Sequence, residues 1–158
     1  METIYKNERT VFKIMIEQDT IKLLRECDSG VKMGILSIDD VTPHVKSERM
    51  NTFLERSRDE HTRIEDEIRS MLNDYSDSGK EPGAIVKGMS WMKTNMKLAM
   101  NDNESTIADL MTDGCNMGIK SLSKYLNQYT AAEERAKDIT KKIIAEEERL
   151  AQNMRDFL

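Results

Sequence analysis

Apolar residues recur at intervals of three and four along four stretches of this chain, the spacing that puts one stripe on an α-helix. The first stretch runs Ile21, Leu24, Val31, Ile35, Ile38, with Asp28 set into the seam and the N-cap chemistry of Asp19-Thr20 ahead of it. Asp40-Val41-Thr42-Pro43-His44 breaks it after Asp39. The second carries Met50, Leu54, Ser57, His61, Ile64, Ile68 and Met71 behind Ser47. It stops at Ser76-Asp77-Ser78-Gly79-Lys80-Glu81-Pro82-Gly83, a run of turn formers. A shorter segment, Ile85 to Met100, lines up Ile85, Met89, Met92, Met96 and Met100 on one face. Asn101-Asp102-Asn103-Glu104-Ser105 closes it and offers a cap to a third long helix with Ile107, Leu110, Gly114, Gly118, Leu122 and Tyr125. The fourth starts near Ala131 and keeps Ile139, Ile143, Glu147, Leu150, Met154 and Phe157 in register. Residues 1–18 are less regular: Thr10-Val11-Phe12-Lys13-Ile14-Met15-Ile16 reads as a short strand or as an extra helical turn.

Each long helix has one apolar stripe, and two helical hairpins bury such stripes most economically against each other. The expected architecture is all-α, with residues 19–158 forming a four-helix bundle and residues 1–18 an N-terminal extension. Residues 19–74 make the first hairpin and 105–158 the second. The connection over 73–104 is long enough to return along the bundle, with a short crossover helix at 83–100. That makes the second and third long helices parallel, the topology of ferritin-like bundles.

An internal repeat agrees with two equivalent halves. Gly30-Val31-Lys32-Met33-Gly34-Ile35 reappears 84 positions on as Gly114-Cys115-Asn116-Met117-Gly118-Ile119. Glu60-His61-Thr62-Arg63-Ile64 is answered 86 positions on by Glu146-Glu147-Glu148-Arg149-Leu150. Glycine inside a helix costs up to about 1 kcal/mol against Ala. Two pairs at matching places therefore predict that the first and third long helices face each other closely through Gly30/Gly34 and Gly114/Gly118.

Composition narrows the function classes. Two prolines and seven glycines in 158 residues exclude a sandwich or barrel of many short strands. The net charge is −5 and the Lys and Arg residues are scattered, so nucleic acid is not an expected partner. Cys27 and Cys115 cannot staple a chain of this size and point to a reducing compartment. There is no signal-like apolar run at the start and no stretch of about 18 apolar residues, so a cytoplasmic protein that does not enter a membrane is expected. Free cysteines are usually small buried hydrophobes, and neither has an evident neighbouring base. The methionines of the short segment suit an irregular packing groove better than a Cu(I) site. His44 after Pro43 reads as a turn residue.

Two long hairpins joined by a short helix after Glu81-Pro82 resemble an uncharacterised bacterial ferritin-like family. Gly88-Met89-Ser90-Trp91-Met92-Lys93, with Leu98, Asn101-Asp102-Asn103 and Ile107, is similar to that family's Gly-x-x-Trp crossover helix and the turn that starts its third helix. The likeness covers residues 19–158. It implies a ferritin-like bundle, a link to stress responses, and self-association as a homodimer through the Met-rich helix or residues 1–18.

Di-iron bundles of that kind draw on carboxylates from two helices and Glu-x-x-His from each of the other two. Carboxylate and imidazole suit iron or manganese. The seams offer one polar residue per long helix near mid-bundle, Asp28, His61, Asp113 and Glu147. These four are the candidate metal ligands, but the pattern is degenerate. Arg58 stands three before His61 and Ile144 three before Glu147, while Glu60 and Glu146 are followed at the third position by Arg63 and Arg149, which cannot ligate a cation. The repeat sets Thr112 against Asp28 and Ser29 against Asp113, so symmetry fails as well. The favoured expectation is a buried hydrogen-bonded pair of His61 and Glu147, with Glu147 turning inward from an otherwise solvated Glu146-Glu147-Glu148 run. The functional expectation is a non-catalytic ferritin-like scaffold or interaction protein without a cofactor, its partner unnamed. The alternative is an iron- or manganese-binding oxidoreductase or stress protein centred on His61 and Glu147.

Overall fold

The computed structural model describes residues 1–83, 91–99 and 103–158; within them it contains five α-helices and no strand. The helices are α1 (Glu2–Val41), α2 (Glu48–Asp74), α3 (Trp91–Ala99), α4 (Glu104–Gln128) and α5 (Glu134–Met154), with single 3-10 turns at Thr42–His44 and Arg155–Phe157. Of the helix expected over 83–100, α3 is the described part. Ile85, Gly88, Met89, Met100 and Asn101-Asp102 lie outside the described residues.

Two N-termini are capped as their sequences dictate. Ser47 Oγ accepts the Met50 N–H at 3.2 Å, and Asn103 Oδ1 accepts the Thr106 N–H at 2.8 Å. Each satisfies a donor the helix cannot, worth about 1 kcal/mol.

The apolar stripes meet in two clusters. One joins Ile38 and Val41 near the end of α1, Met50 and Leu54 at the start of α2, Ile107 and Met111 at the start of α4, and Leu150 and Met154 at the end of α5. The other joins Leu23 and Leu24 of α1, Ile68 and Leu72 of α2, Leu122 of α4, and Ala136 and Ile139 of α5. Hence α1 and α5 run in one direction and α2 and α4 in the other. α1 packs on α2, α4 and α5, and α5 also packs on α2 and α4. Met92 of α3 is fully buried in the first cluster, and Met96 packs against it.

The first long helix does not begin at Asp19-Thr20; α1 is one helix of 40 residues that passes through them. Residues 10–16 are neither a strand nor a separate turn but part of that helix, and residues 1–15 are exposed throughout. The capping chemistry of Asp19 and Thr20 is real but serves another helix. Asp19 Oδ2 accepts the Ala131 N–H at 3.0 Å and Thr20 Oγ1 accepts the Glu133 N–H at 2.8 Å, at the entry to α5, which has no side-chain cap of its own.

Asp28, one of the candidate ligands, holds the loop after α2. Its Oδ2 accepts from Lys32 Nζ and from the Lys80 backbone N–H, both at 2.9 Å. Lys80 Nζ reaches Glu26 at 2.7 Å, Lys32 reaches Glu81 at 2.7 Å, and Arg25 clasps Asp77 through both of its carboxylate oxygens. The loop bends over Asp28 at Gly79, whose φ of +84° suits glycine, and a Cβ there would stand 2.2 Å from Asp28 Oδ2. Gly79→Ala is therefore expected to lose about 2 kcal/mol of stability by denaturant titration, from backbone strain and displacement of the carboxylate. Gly83→Ala, which meets nothing within 4 Å, is expected to change it by less than about 0.5 kcal/mol.

Candidate functional site: a buried histidine-glutamate pair beside a cavity

His61 lies on α2 and Glu147 on α5, and the packing of those helices brings them together. His61 Nε2 lies 2.7 Å from Glu147 Oε1, with the imidazole wholly buried and Glu147 8% exposed. The other ring nitrogen, Nδ1, lies 2.8 Å from the Ser57 carbonyl oxygen one turn earlier. Both nitrogens thus face oxygen acceptors, an arrangement complete when each carries a proton and Glu147 is a carboxylate. Burial pulls the imidazole pKa down. The bond and charge of Glu147, the Ser57 carbonyl and the charge of Glu146 outweigh it and hold the pKa above the ordinary value.

The expected pair is therefore present, but Glu147 is not alone in turning inward. Glu146 is buried too, paired with Arg149 at 2.9 Å, and burial raises its pKa against the pull of Ser57, Arg149 and His61. Only Glu148 of the run is solvated. Two adjacent inward positions need a stripe wider than the three-four seam, and Ala151 on the same helix, also buried, is the sequence signal for one.

The repeated glycines do not bring two backbones into contact; they border a cavity of about 290 Å³. Gly30 and Gly34 of α1 and Gly114 and Gly118 of α4 line it, as do Trp91 and Met92 of α3, His61, and Glu147. Their steric roles differ. A Cβ on Gly34 would stand 2.7 Å from two atoms of the His61 ring, so this glycine makes room for the imidazole. One on Gly118 would rest 3.6 Å from the Glu147 carboxyl carbon, an ordinary contact. At Gly30 and Gly114 the nearest atoms are 3.9 and 3.7 Å away, and nothing in the described packing requires glycine.

The four candidate ligands are not gathered. His61 and Glu147 meet, whereas Asp28 is engaged by Lys32 and Lys80 and Asp113 is exposed on α4. Among the described residues, no three His, Cys, Asp or Glu side chains converge as metal ligands would. With the acceptors facing both imidazole nitrogens, the donor set does not fit an iron or manganese centre. Neither cysteine has the lowered pKa that activates a thiol. Burial pushes the Cys27 thiol up to about 12, and Cys115 is driven higher still by burial and the neighbouring Glu147 charge.

A second feature escaped the sequence reading. Met1, Ile4, Tyr5, Val11, Phe12 and Met15 fall on one side of α1, and each is at least half exposed. Glu8 sits within that stripe and Arg9 at its border, while Lys6, Thr10 and Lys13 take the opposite face. Among the described residues no helix is long and apolar enough to cross a membrane. Comparison with protein-family models, curated proteins and solved structures finds no match to this chain.

Proposed function

We propose that the chain is a non-catalytic scaffold of ferritin-like arrangement that pairs with a second copy through the first 16 residues of α1. Three observations support the arrangement. α2 and α4 run parallel, α3 lies on the connection between them, and the helix pairs α1/α2 and α4/α5 make two hairpins. The duplicated halves are supported by the site itself. His61 and Glu147, equivalent under the 86-residue offset, bond to each other, and the matching glycines 34 and 118 flank them. The pair lies where the ferritin-like reading would put a metal, and His61 spends both ring nitrogens on protein oxygens, which supports a scaffold rather than the iron or manganese oxidoreductase.

The exposed stripe on residues 1–15 carries the functional reading. A helix of this length is marginal in water without a packed face, and one rich in Thr, Val and Ile has no propensity to compensate. Charge selects the partner. Two copies packed antiparallel about residues 8 and 9 place Glu8 of each against Arg9 of the other, whereas parallel packing sets Glu8 against Glu8. Such an interface is isologous and closes as a dimer. Its apolar side chains cover on the order of 600 Å² per copy, about 1,200 Å² in all, enough for a specific contact at the lower limit.

Sedimentation velocity tests it. The full chain is expected to sediment as a dimer and Val11→Glu/Phe12→Glu as a monomer with unchanged helix content. A wild-type chain that stays monomeric across the concentration range overturns the proposal.

A further inference from the structure

We propose that the cavity between α1 and α4 is a binding site for a small organic cation, an ammonium group on an apolar body. This inference is independent of the pairing of two copies. The space has the volume of a small-molecule pocket, and its walls are mostly apolar: Met33 of α1, Met111 and Leu122 of α4, Met92 of α3 and Leu150 of α5. Gly30 and Gly114 keep it open. Each gives up about 1 kcal/mol of helix stability relative to Ala, although a Cβ at either would meet only ordinary contacts. Among the described residues no side chain fills this space, which leaves room for a ligand.

The polar part of the wall sets the charge of that ligand. Glu147 is more than nine-tenths buried and lines the cavity with a carboxylate of which Oε1 is taken by His61. Its Oε2 lies on the Gly118 side, 3.7 Å from where a Cβ on that residue would stand. A carboxylate accepts about four hydrogen bonds, and with His61 and the Cys115 thiol as its protein donors Glu147 keeps capacity for a donor arriving in the cavity. An ammonium supplies both the donor and the charge. Trp91 and Tyr125, also on the wall, bring aromatic rings to the site, and an aromatic ring favours a cation over a neutral group. Among the described residues the cations nearest the cavity are already engaged, His61 with Glu147 and Lys80 with Glu26, which disfavours a carboxylate ligand.

Trp91, the chain's single tryptophan, lines the cavity and reports on its occupancy. The full chain is titrated with n-hexylammonium, n-hexanol and hexanoate, following Trp91 emission and melting temperature. Hexylammonium is expected to change the emission saturably and raise the melting temperature, to bind about tenfold more tightly than hexanol, and hexanoate to have no effect. Gly30→Leu, which has room to project into the cavity, is expected to stay folded by circular dichroism and lose the response. Glu147→Gln is expected to reduce the preference for hexylammonium over hexanol to near unity. No saturable response to any probe, or an undiminished response in folded Gly30→Leu, overturns the site. Hexanol binding as well as hexylammonium does overturns the cationic assignment.

Discussion

His61→Ala is expected to destabilise the protein by about 3 kcal/mol, more than an alanine substitution at any exposed polar position. The loss is not that of one hydrogen bond, which is worth about 1 kcal/mol net. Removing the imidazole leaves Glu147 charged, nearly buried and without the proton it accepts at Oε1, while the Ser57 carbonyl loses its donor. The adjoining cavity gives Glu147 some access to solvent, which keeps the cost at the lower end of what breaking a buried pair entails. Replacing both partners, as His61→Leu/Glu147→Leu, removes the stranded charge and is expected to cost about 1 kcal/mol or less. Urea titration of His61→Leu, Glu147→Leu and the double variant gives the coupling directly. Additive losses would show that the pair is not a unit.

The pair also fixes a pH dependence. Because folding raises the His61 pKa, the native chain holds the proton more tightly than the unfolded one. Its contribution is therefore complete below the ordinary value of 6.5 and is lost as pH climbs through the raised folded value. Glu147, Glu146 and the Ser57 carbonyl face the ring, and Cys115 lies beside Glu147. Glu146 and Cys115 also have raised pKa values, but they titrate from ordinary values of 4.5 and 9.0. The fall in stability beginning near pH 6.5 is consequently expected to vanish in the double Leu variant.

Gly34→Leu is expected to cost about 3 kcal/mol, whereas Gly118→Ala is expected to stabilise by up to about 1 kcal/mol. These two glycines hold the same place in the repeat, so sequence alone predicts the same response. The difference lies in what each meets. A Cβ on Gly34 collides with a ring clamped at both nitrogens, which cannot step aside without breaking the buried pair. One on Gly118 lands on the Glu147 side chain at contact distance. Combining Gly34→Leu with His61→Ala tests the cause, because the new side chain then enters the space the ring has left. The double variant is expected to melt above the Gly34→Leu single variant; a further fall would place the clash elsewhere.

The long helices were legible because each carries one seam at helical spacing, and two of their starts because Ser47 and Asn103 cap their own helices. The start of α1 was not. Asp19 and Thr20 have capping chemistry, but a hydroxyl or carboxylate that satisfies orphan N–H groups says nothing about whose they are, and these belong to the entry of α5. Asp28 misled for a related reason. An inward carboxylate needs a cationic or N–H partner, and composition cannot distinguish a metal from Lys32 and a loop backbone 52 residues away. His61 with Glu147 succeeded because two opposing polar residues in two apolar seams have little else to pair with. The cavity was invisible, since glycines four apart predict closeness equally well whether another backbone, a side chain or a void fills the gap.

The 40 residues of α1 form one helix by hydrogen bonding, but its buried residues begin only at Thr20. From Thr20 onward its residues are locked into the folding unit that includes both core clusters. Before it, a lone chain has only the helix's own ladder to resist fraying, so opening there is decoupled from opening of the bundle. The boundary is drawn by Asp19 and Thr20, the pair that ties the middle of α1 to the beginning of α5. A single rod thus joins a segment that lies wholly outside the core to a wall of the cavity.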